Sequence, residues 1–127
     1  MSDDRKDRTP AIRTIAMPAD TNSAGDIFGG WLMSQMDLAA GNVAARFARG
    51  RSATVAVEAM KFLRPVHVGD EVTLFADIVR VGRTSMTIHV EAWRRPRVGE
   101  ETERVTSAEF TFVALDENGK PRMIDQD

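Results

Sequence analysis

The chain has 127 residues, the length of one domain. Its 17 Lys and Arg residues and 19 Asp and Glu residues give a formal net charge of −2, so it lacks the positive excess on which sequence-independent nucleic-acid binding depends. Hydrophobic residues make up 43% and charged residues 28%, as in globular rather than disordered proteins. Cysteine is absent, which excludes disulfides, thiolate metal sites and cysteine nucleophiles.

The two ends of the chain are predicted to be tails. Residues 1–10 contain six charged side chains and no apolar run, so we expect a flexible tail there. A secretory signal needs an apolar middle, and the cytoplasm is therefore the expected compartment. The segment 11–123 is expected to form a single domain, and residues 124–127 a second short tail.

The first elements of the domain are predicted to be a short strand and a loop. The side chains of residues 11–17 alternate between two faces, which predicts a short strand, and Pro18 ends it. The following residues, 18–26, include Pro, Asp, Asn, Ser and Gly, which favour turns.

A long helix is predicted next. Residues 27–45 carry one charge, Asp37, and their apolar residues recur at helical spacing. Polar residues and three glycines argue against a membrane span. The predicted helix covers residues 31–49, with Gly29 and Gly30 at its start, and its low charge predicts burial on nearly all sides.

After the helix, the apolar pattern changes to a period of two, which predicts four long strands. They cover residues 54–66, 71–81, 84–94 and 103–115. Because short turns join them, we expect an antiparallel meander. A helix with so few charges needs cover, so the predicted fold class is α+β, with a curved antiparallel sheet of about five strands wrapped around one long helix.

Asp37 is the main candidate for catalysis. A carboxylate in an apolar helix is a candidate general base. Backbone N–H groups at Gly29 and Gly30 can stabilise developing negative charge, as in an oxyanion hole. In this interpretation Asp37, two turns further on, is near enough to activate water against a carbonyl held at the helix start. A structural hydrogen bond or ion pair for Asp37, and a tight turn at the glycines, stay open.

Three further groups of polar residues are candidates. Asn22 and Asp26, in the loop, are suited to orient water or substrate, although residues of these types also make turns. The turn Gly82-Arg83-Thr84-Ser85 combines a guanidinium, two hydroxyls and backbone N–H groups, which together suit a phosphate. His67 and His89 have no partners at ligand spacing, so no metal site is expected.

Several blocks resemble the hotdog-fold acyl-CoA thioesterases of the YciA-like branch. They read Met-Pro-Ala-Asp-Thr-Asn (17–22), Gly-Asp-Ile-Phe-Gly-Gly-Trp (25–31) and Met-Ser-Gln-Met-Asp (33–37). Shorter matches occur at residues 54–58, at Phe62, and at residues 64–66, 68–70, 82–85 and 110–114, so the resemblance covers roughly residues 12–123.

This resemblance implies a hotdog fold and hydrolysis of acyl-CoA to a free acid and CoA. Asp37 would be the catalytic carboxylate, either as general base or as nucleophile. The backbone at Gly29 and Gly30 would polarise the thioester carbonyl. Similar proteins form dimers, commonly assembled as trimers of dimers, so Asp37 of one protomer would face the oxyanion donors of its partner.

The resemblance also implies contacts for the CoA part of the substrate. The pantetheine arm would run along residues 54–63, with Thr54 and Val55 among its contacts. Arg64 and the turn Gly82-Arg83-Thr84-Ser85 would meet the nucleotide end. The resemblance implies no metal, no nucleic acid and no membrane partner. It implies no cofactor either, because CoA is part of the substrate itself.

Two other functions are alternatives, and the sequence argues against the first of them. A dehydratase acting on hydroxyacyl thioesters would ordinarily use a histidine near the site, and none occurs in residues 27–45. A non-catalytic acyl-CoA sensor or interaction module would use Asp37 as a structural contact between protomers.

Overall fold

The structure, a computed structural model, describes residues 8–124. The elements in chain order are β1 (Ile12–Ile15), a 3-10 turn (Pro18–Asp20), α1 (Gly29–Ala48), β2 (Ser52–Phe62), β3 (Glu71–Val81), β4 (Ser85–Arg95) and β5 (Glu103–Ala114). Of the two predicted tails, residues 1–7 and 125–127 lie outside the described part. Ile124, placed in the second tail, packs into the core.

The five strands form one antiparallel sheet with the order β1-β3-β4-β5-β2. One face of this sheet packs against α1. Alternate residues of the central strands, such as Leu74, Ile88 and Phe110, are fully buried in the core on that face. The predicted α+β architecture, one long helix with an antiparallel sheet of five strands, is confirmed.

The predicted meander is correct only for β3, β4 and β5. β2 pairs with β5 instead of β3 and lies at an edge of the sheet. It ends at Phe62 rather than at residue 66, and residues 63–70 then cross the end of the sheet. In this connection the Leu63 N–H donates to the Val105 carbonyl, 2.8 Å away. The eight residues between β2 and β3 are long enough to cross the sheet, so the two strands need not be neighbours.

The prediction that α1 is buried on nearly all sides is wrong for a single copy of the chain. One side of the helix packs on the sheet, through Trp31, Leu32, Met36, Ala39, Ala40, Ala44 and Ala48. Leu38 on the same helix is 60% exposed, and Val55 on the neighbouring edge strand is 58% exposed. A five-stranded sheet covers only one side of the helix, so an apolar surface remains along α1 and β2. Within residues 8–124, no helix is long and apolar enough to cross a membrane.

The opposite face of the sheet carries a partly buried polar cluster around Glu91. Its carboxylate accepts hydrogen bonds from Trp93 Nε1 at 3.0 Å and from Arg8 Nη1 at 3.3 Å. His89 Nε2 lies 3.4 Å away. Burial raises the pKa of Glu91, but the Trp93 hydrogen bond and the Arg8 charge outweigh burial, so the pKa is lowered below its usual value of 4.5.

Glu91 should therefore stabilise the fold in a pH-dependent way. Because its pKa is lowered on folding, its contribution is present above the unfolded pKa and disappears as the pH falls through the folded pKa. Urea unfolding should show wild type more stable than Glu91→Gln at neutral pH, with this difference shrinking below about pH 4.5. The exposed Glu117→Gln variant is the control. A difference between wild type and Glu91→Gln that stays constant with pH would contradict this account.

Candidate active site

Asp37 lies where α1 meets the edge strand β2. The Thr54 hydroxyl donates to Asp37 Oδ1, 2.6 Å away. Among the described residues, Oδ2 of Asp37 has no hydrogen-bond partner, and the side chain is only half-buried. The structure thus brings together two predicted site residues, and leaves one carboxylate oxygen available to a water molecule or a substrate.

The start of α1 offers free backbone donors. The position before the helix is Phe28, whose side chain makes no capping hydrogen bond. The Trp31 N–H bonds to the Phe28 carbonyl at 3.1 Å. In the part of the chain that is described, no acceptor meets the N–H groups of Gly29 and Gly30. Such unpaired donors at a helix N-terminus can hold a developing oxyanion.

Asp37 cannot reach this helix start within its own chain. It follows Gly29 by eight residues, which places it about 12 Å further along the axis at ~1.5 Å per residue. A general base acts at hydrogen-bond distance, directly or through one water. Helix geometry therefore argues against a reaction in which Asp37 serves a carbonyl held at the start of its own helix.

An apolar cleft of about 350 Å³ opens beside Gly29. It lies between the start of α1, the end of β2 and the connection that follows. Its lining residues are Ile27, Phe28, Gly29, Leu32, Phe62, Leu63, Arg64, Pro65, Val66 and Val105. We call it the helix-start cleft. The cleft thus reaches Gly29, the first residue of α1.

Phe62 closes this cleft against the helix. A Cβ on Gly29 would lie 3.1 Å from Cζ of the Phe62 ring, so the ring occupies space that only a glycine leaves open. A bulge between Glu58 and Lys61, with Ala59 at φ 57°, precedes Phe62 in the strand. The extra residue changes the face on which the following side chains lie, which turns Phe62 towards α1.

Arg64 and the turn at residues 82–85 lie at opposite ends of the sheet. Arg64 follows the end of β2 and lines the helix-start cleft. The turn is adjacent to Ala114, whose N–H bonds to the Thr84 carbonyl at 2.8 Å, and Ala114 pairs with Ser52 at the start of β2. Eleven residues of strand span about 33 Å. One chain therefore does not bring these two predicted nucleotide contacts together.

Asn22 and Asp26 shape the loop before α1. The Asn22 side-chain oxygen accepts the N–H groups of Ala24 and Asp26, at 2.9 and 3.1 Å. The Asn22 N–H donates to the Asp26 carbonyl at 2.7 Å. Asn22 thus makes the turn that its residue type favours, while the Asp26 side chain is exposed. Val55, another predicted contact, lies at an irregularity of β2.

Metal ligands are not clustered: within residues 8–124, no three His, Asp or Glu side chains are placed to hold a metal ion. Phe62 and Leu63 were expected only as part of the pantetheine contact along residues 54–63, and not as walls of a cleft at the start of α1. Their role depends on where β2 ends and on the bulge within it, and neither leaves a signal in residue spacing.

This combination of fold and site defines a family. A model of the Thioesterase superfamily matches residues 24–100, and the chain belongs to that superfamily. A hexameric hotdog-fold thioesterase of Campylobacter jejuni has a TM-score of 0.85 and 38% identity, covering 91% of this chain and 90% of its own. The fold is the hotdog fold that the sequence predicted.

Individual relatives carry more specific names. An uncharacterized acyl-CoA thioester hydrolase of Zymomonas mobilis is 58% identical over 112 residues, 88% of this chain and 75% of its own. The acyl-CoA thioester hydrolase YciA of Escherichia coli K12 is 51% identical over 116 residues, 89% of this chain and 88% of its own. A hexameric thioesterase of Yersinia pestis has a TM-score of 0.89 at 49% identity, over 94% of this chain and 97% of its own.

The position of the Phe62 ring beside Gly29 can be tested directly. Gly29 has no positive φ, so alanine is conformationally acceptable there, and the half-exposed Phe62 ring can turn away from the added Cβ. We expect Gly29→Ala to change the free energy of unfolding by less than about 1 kcal/mol while displacing the ring, as seen by urea unfolding and a crystal structure. Gly41→Ala, whose Cβ would meet Phe112 at an ordinary 3.5 Å, is the control. A loss above about 2 kcal/mol would show that the ring cannot yield.

Proposed function

We propose that this protein hydrolyses acyl-CoA thioesters to free acids and CoA at a site shared by two copies of the chain. The observation that carries the proposal is the position of the Asp37 carboxylate. Thr54, on the edge strand β2, donates a hydrogen bond to it. The carboxylate lies about 12 Å along the axis from the start of α1, which is the one α-helix within the described residues. The similarity to proteins named acyl-CoA thioester hydrolases supports this substrate class.

Pairing of two β2 edges joins the halves of the site. β2 bonds to β5 on one side only, and an unpaired strand edge is a template for another strand. Antiparallel pairing of two copies about the strand midpoint, Val57, would set Ser52 opposite the partner's Phe62. Thr54 and Asp37 would then lie near the partner's Gly29, because the Phe62 ring lies beside Gly29 within each chain.

The same pairing accounts for the other candidate residues. It would bring the turn at residues 82–85 of one copy to the end of the sheet that carries the partner's Arg64. Both would then be available to the phosphates of one CoA, as the resemblance implies. It would also cover the exposed apolar side chains of α1 and β2.

The chemistry needs only these groups and water. In the general-base form, Asp37 takes a proton from water as its oxygen attacks the thioester carbon. The carbonyl oxygen becomes negative and is stabilised by the N–H groups of Gly29 and Gly30. The intermediate then expels CoA as a thiolate, and the proton that Asp37 took from water passes to this thiolate or to solvent, which regenerates the carboxylate. As a nucleophile, Asp37 would instead form an acyl anhydride that water cleaves. Neither route needs a cofactor.

The assembly that we propose is a trimer of such dimers. Structural relatives of this chain are hexameric thioesterases, and three dimers give six chains. Asn22 and Asp26 would orient water or substrate from the loop that precedes the helix. We propose the cytoplasm as the compartment, since acyl-CoA and free CoA are available there.

Replacing Asp37 tests the mechanism. Asp37→Asn and Asp37→Ala should lower kcat at least 100-fold, since positioned acid–base groups contribute about that much. Thr54→Val should lower kcat less, and Thr54→Ser should restore it. The measurement is thiol release from acyl-CoAs of varied chain length. Asp77→Asn, on the outer face of the sheet, is the control.

Two outcomes would count against the proposal. Unchanged kcat in both Asp37 variants would remove this carboxylate from the chemistry. Tight binding of acyl-CoA by the wild type without thiol release would favour the sensor or interaction module, especially if Asp37→Ala also dissociated the oligomer.

A further inference from the structure

A fully buried hydroxyl group lies next to the end of β2. It belongs to Thr106 on β5, which is 0% exposed and shares the core face of the sheet with Ala108 and Phe110. Burying a hydroxyl in an apolar core lowers stability unless the hydroxyl is hydrogen-bonded. A valine has nearly the same shape and would fill this space without that requirement. What the hydroxyl adds is therefore the hydrogen bond that it makes.

That hydrogen bond holds the bulge of β2. The Thr106 hydroxyl donates to the Lys61 carbonyl, and the Ser107 carbonyl, 3.5 Å away, is a more distant second acceptor. Lys61 ends the bulge that begins after Glu58, and within it Ala59 has a φ of 57°. Residues with a Cβ rarely adopt this conformation. The bulge is thus opposed by local backbone preference and is stabilised by a contact from the neighbouring strand.

Phe62, which follows the bulge, is fixed on both sides by β5. It pairs with Thr106 across the two strands, and the hydrogen bond from Thr106 lies just before it. Just after it, the Leu63 N–H donates to the Val105 carbonyl at 2.8 Å. The Phe62 ring itself is 50% exposed and lies beside Gly29. Since half of the ring has no packing, these backbone contacts determine where it stands at the start of α1.

We infer that Thr106 is a positioning residue for the proposed reaction, and the inference rests on the proposed thioesterase function. Because Thr106 is fully buried, it acts through Phe62 and not on the substrate itself. By holding the bulge, it keeps the Phe62 ring beside Gly29 and so fixes one wall of the helix-start cleft. A displacement of about 1 Å at a reacting group can slow a reaction about 100-fold. The wall next to the oxyanion donors therefore has to be held in place.

Removing the hydroxyl while keeping the side-chain shape tests this role. Thr106→Val should lower kcat for acyl-CoA about tenfold, because the thioester is held less precisely, and should change KM by less than about twofold. Thr106→Ser, which keeps the hydroxyl, should restore kcat. Thr73→Val is the matched control: Thr73 is also buried, its hydroxyl accepts a hydrogen bond from Arg13 Nε at 3.3 Å, and two strands separate it from β2. Its kcat should equal that of wild type.

A double-mutant cycle separates positioning from a merely structural role. In the Phe62→Leu background the ring is gone, so adding Thr106→Val should lower kcat by less than about twofold. If Thr106→Val does not fold alone, the same comparisons are made in an Ala59→Gly background, because glycine adopts a positive φ without strain. Urea unfolding of every variant shows that the assays are made on folded protein.

Three results would overturn the inference: unchanged kcat in folded Thr106→Val, a loss that Thr106→Ser does not restore, or an equal loss with and without the Phe62 ring. If the wild type hydrolysed no acyl-CoA, the proposed function would fail separately. Crystal structures of wild type and Thr106→Val would then still decide the structural part. A displaced Phe62 ring in the variant would support it, and an unchanged bulge and ring would contradict it.

Discussion

The rigidity of α1 determines how the groups of the candidate site can be brought together. The helix carries a carboxylate near its middle and free N–H donors at its start, and its rise of ~1.5 Å per residue keeps them about 12 Å apart. No side-chain rotation closes that gap. A reaction that uses both groups therefore needs the start of one helix and the middle of another, and this requirement links the catalytic proposal to the assembly of the protein.

The edge strand β2 offers a surface on which two copies of the chain can associate. It presents unpaired backbone groups along one side and exposed apolar side chains beside the uncovered part of α1. A second copy can pair with these backbone groups and cover these apolar side chains. The Thr54 hydroxyl holds Asp37 of α1 against the first half of this strand. The start of α1 lies at the other end of the strand, where the Phe62 ring is beside Gly29. The surface that favours association is thus the surface on which the two halves of the site lie.

Local sequence patterns predicted the elements well and their arrangement less well. The bounds of β3, residues 71–81, were predicted correctly because alternation and the turn at Gly82 are local signals. Asp37 stood out as the one charge in an apolar helix. The pairing of β2 with β5 depends on contacts far apart in sequence, so the expected meander was wrong there. Phe62 lies beside Gly29 only because of the bulge in β2, which no local spacing encodes.

Complementation between two inactive variants tests the shared site most directly. Chains with Asp37→Ala lack the carboxylate, and chains with Gly29→Leu lack an accessible helix start. In a mixed dimer, one site carries both defects and the other carries none. Co-refolding equal amounts should therefore restore thioesterase activity to about a quarter of the wild-type value, since half of randomly formed dimers are mixed. A mixture no more active than the two variants measured separately would contradict a site built from two chains.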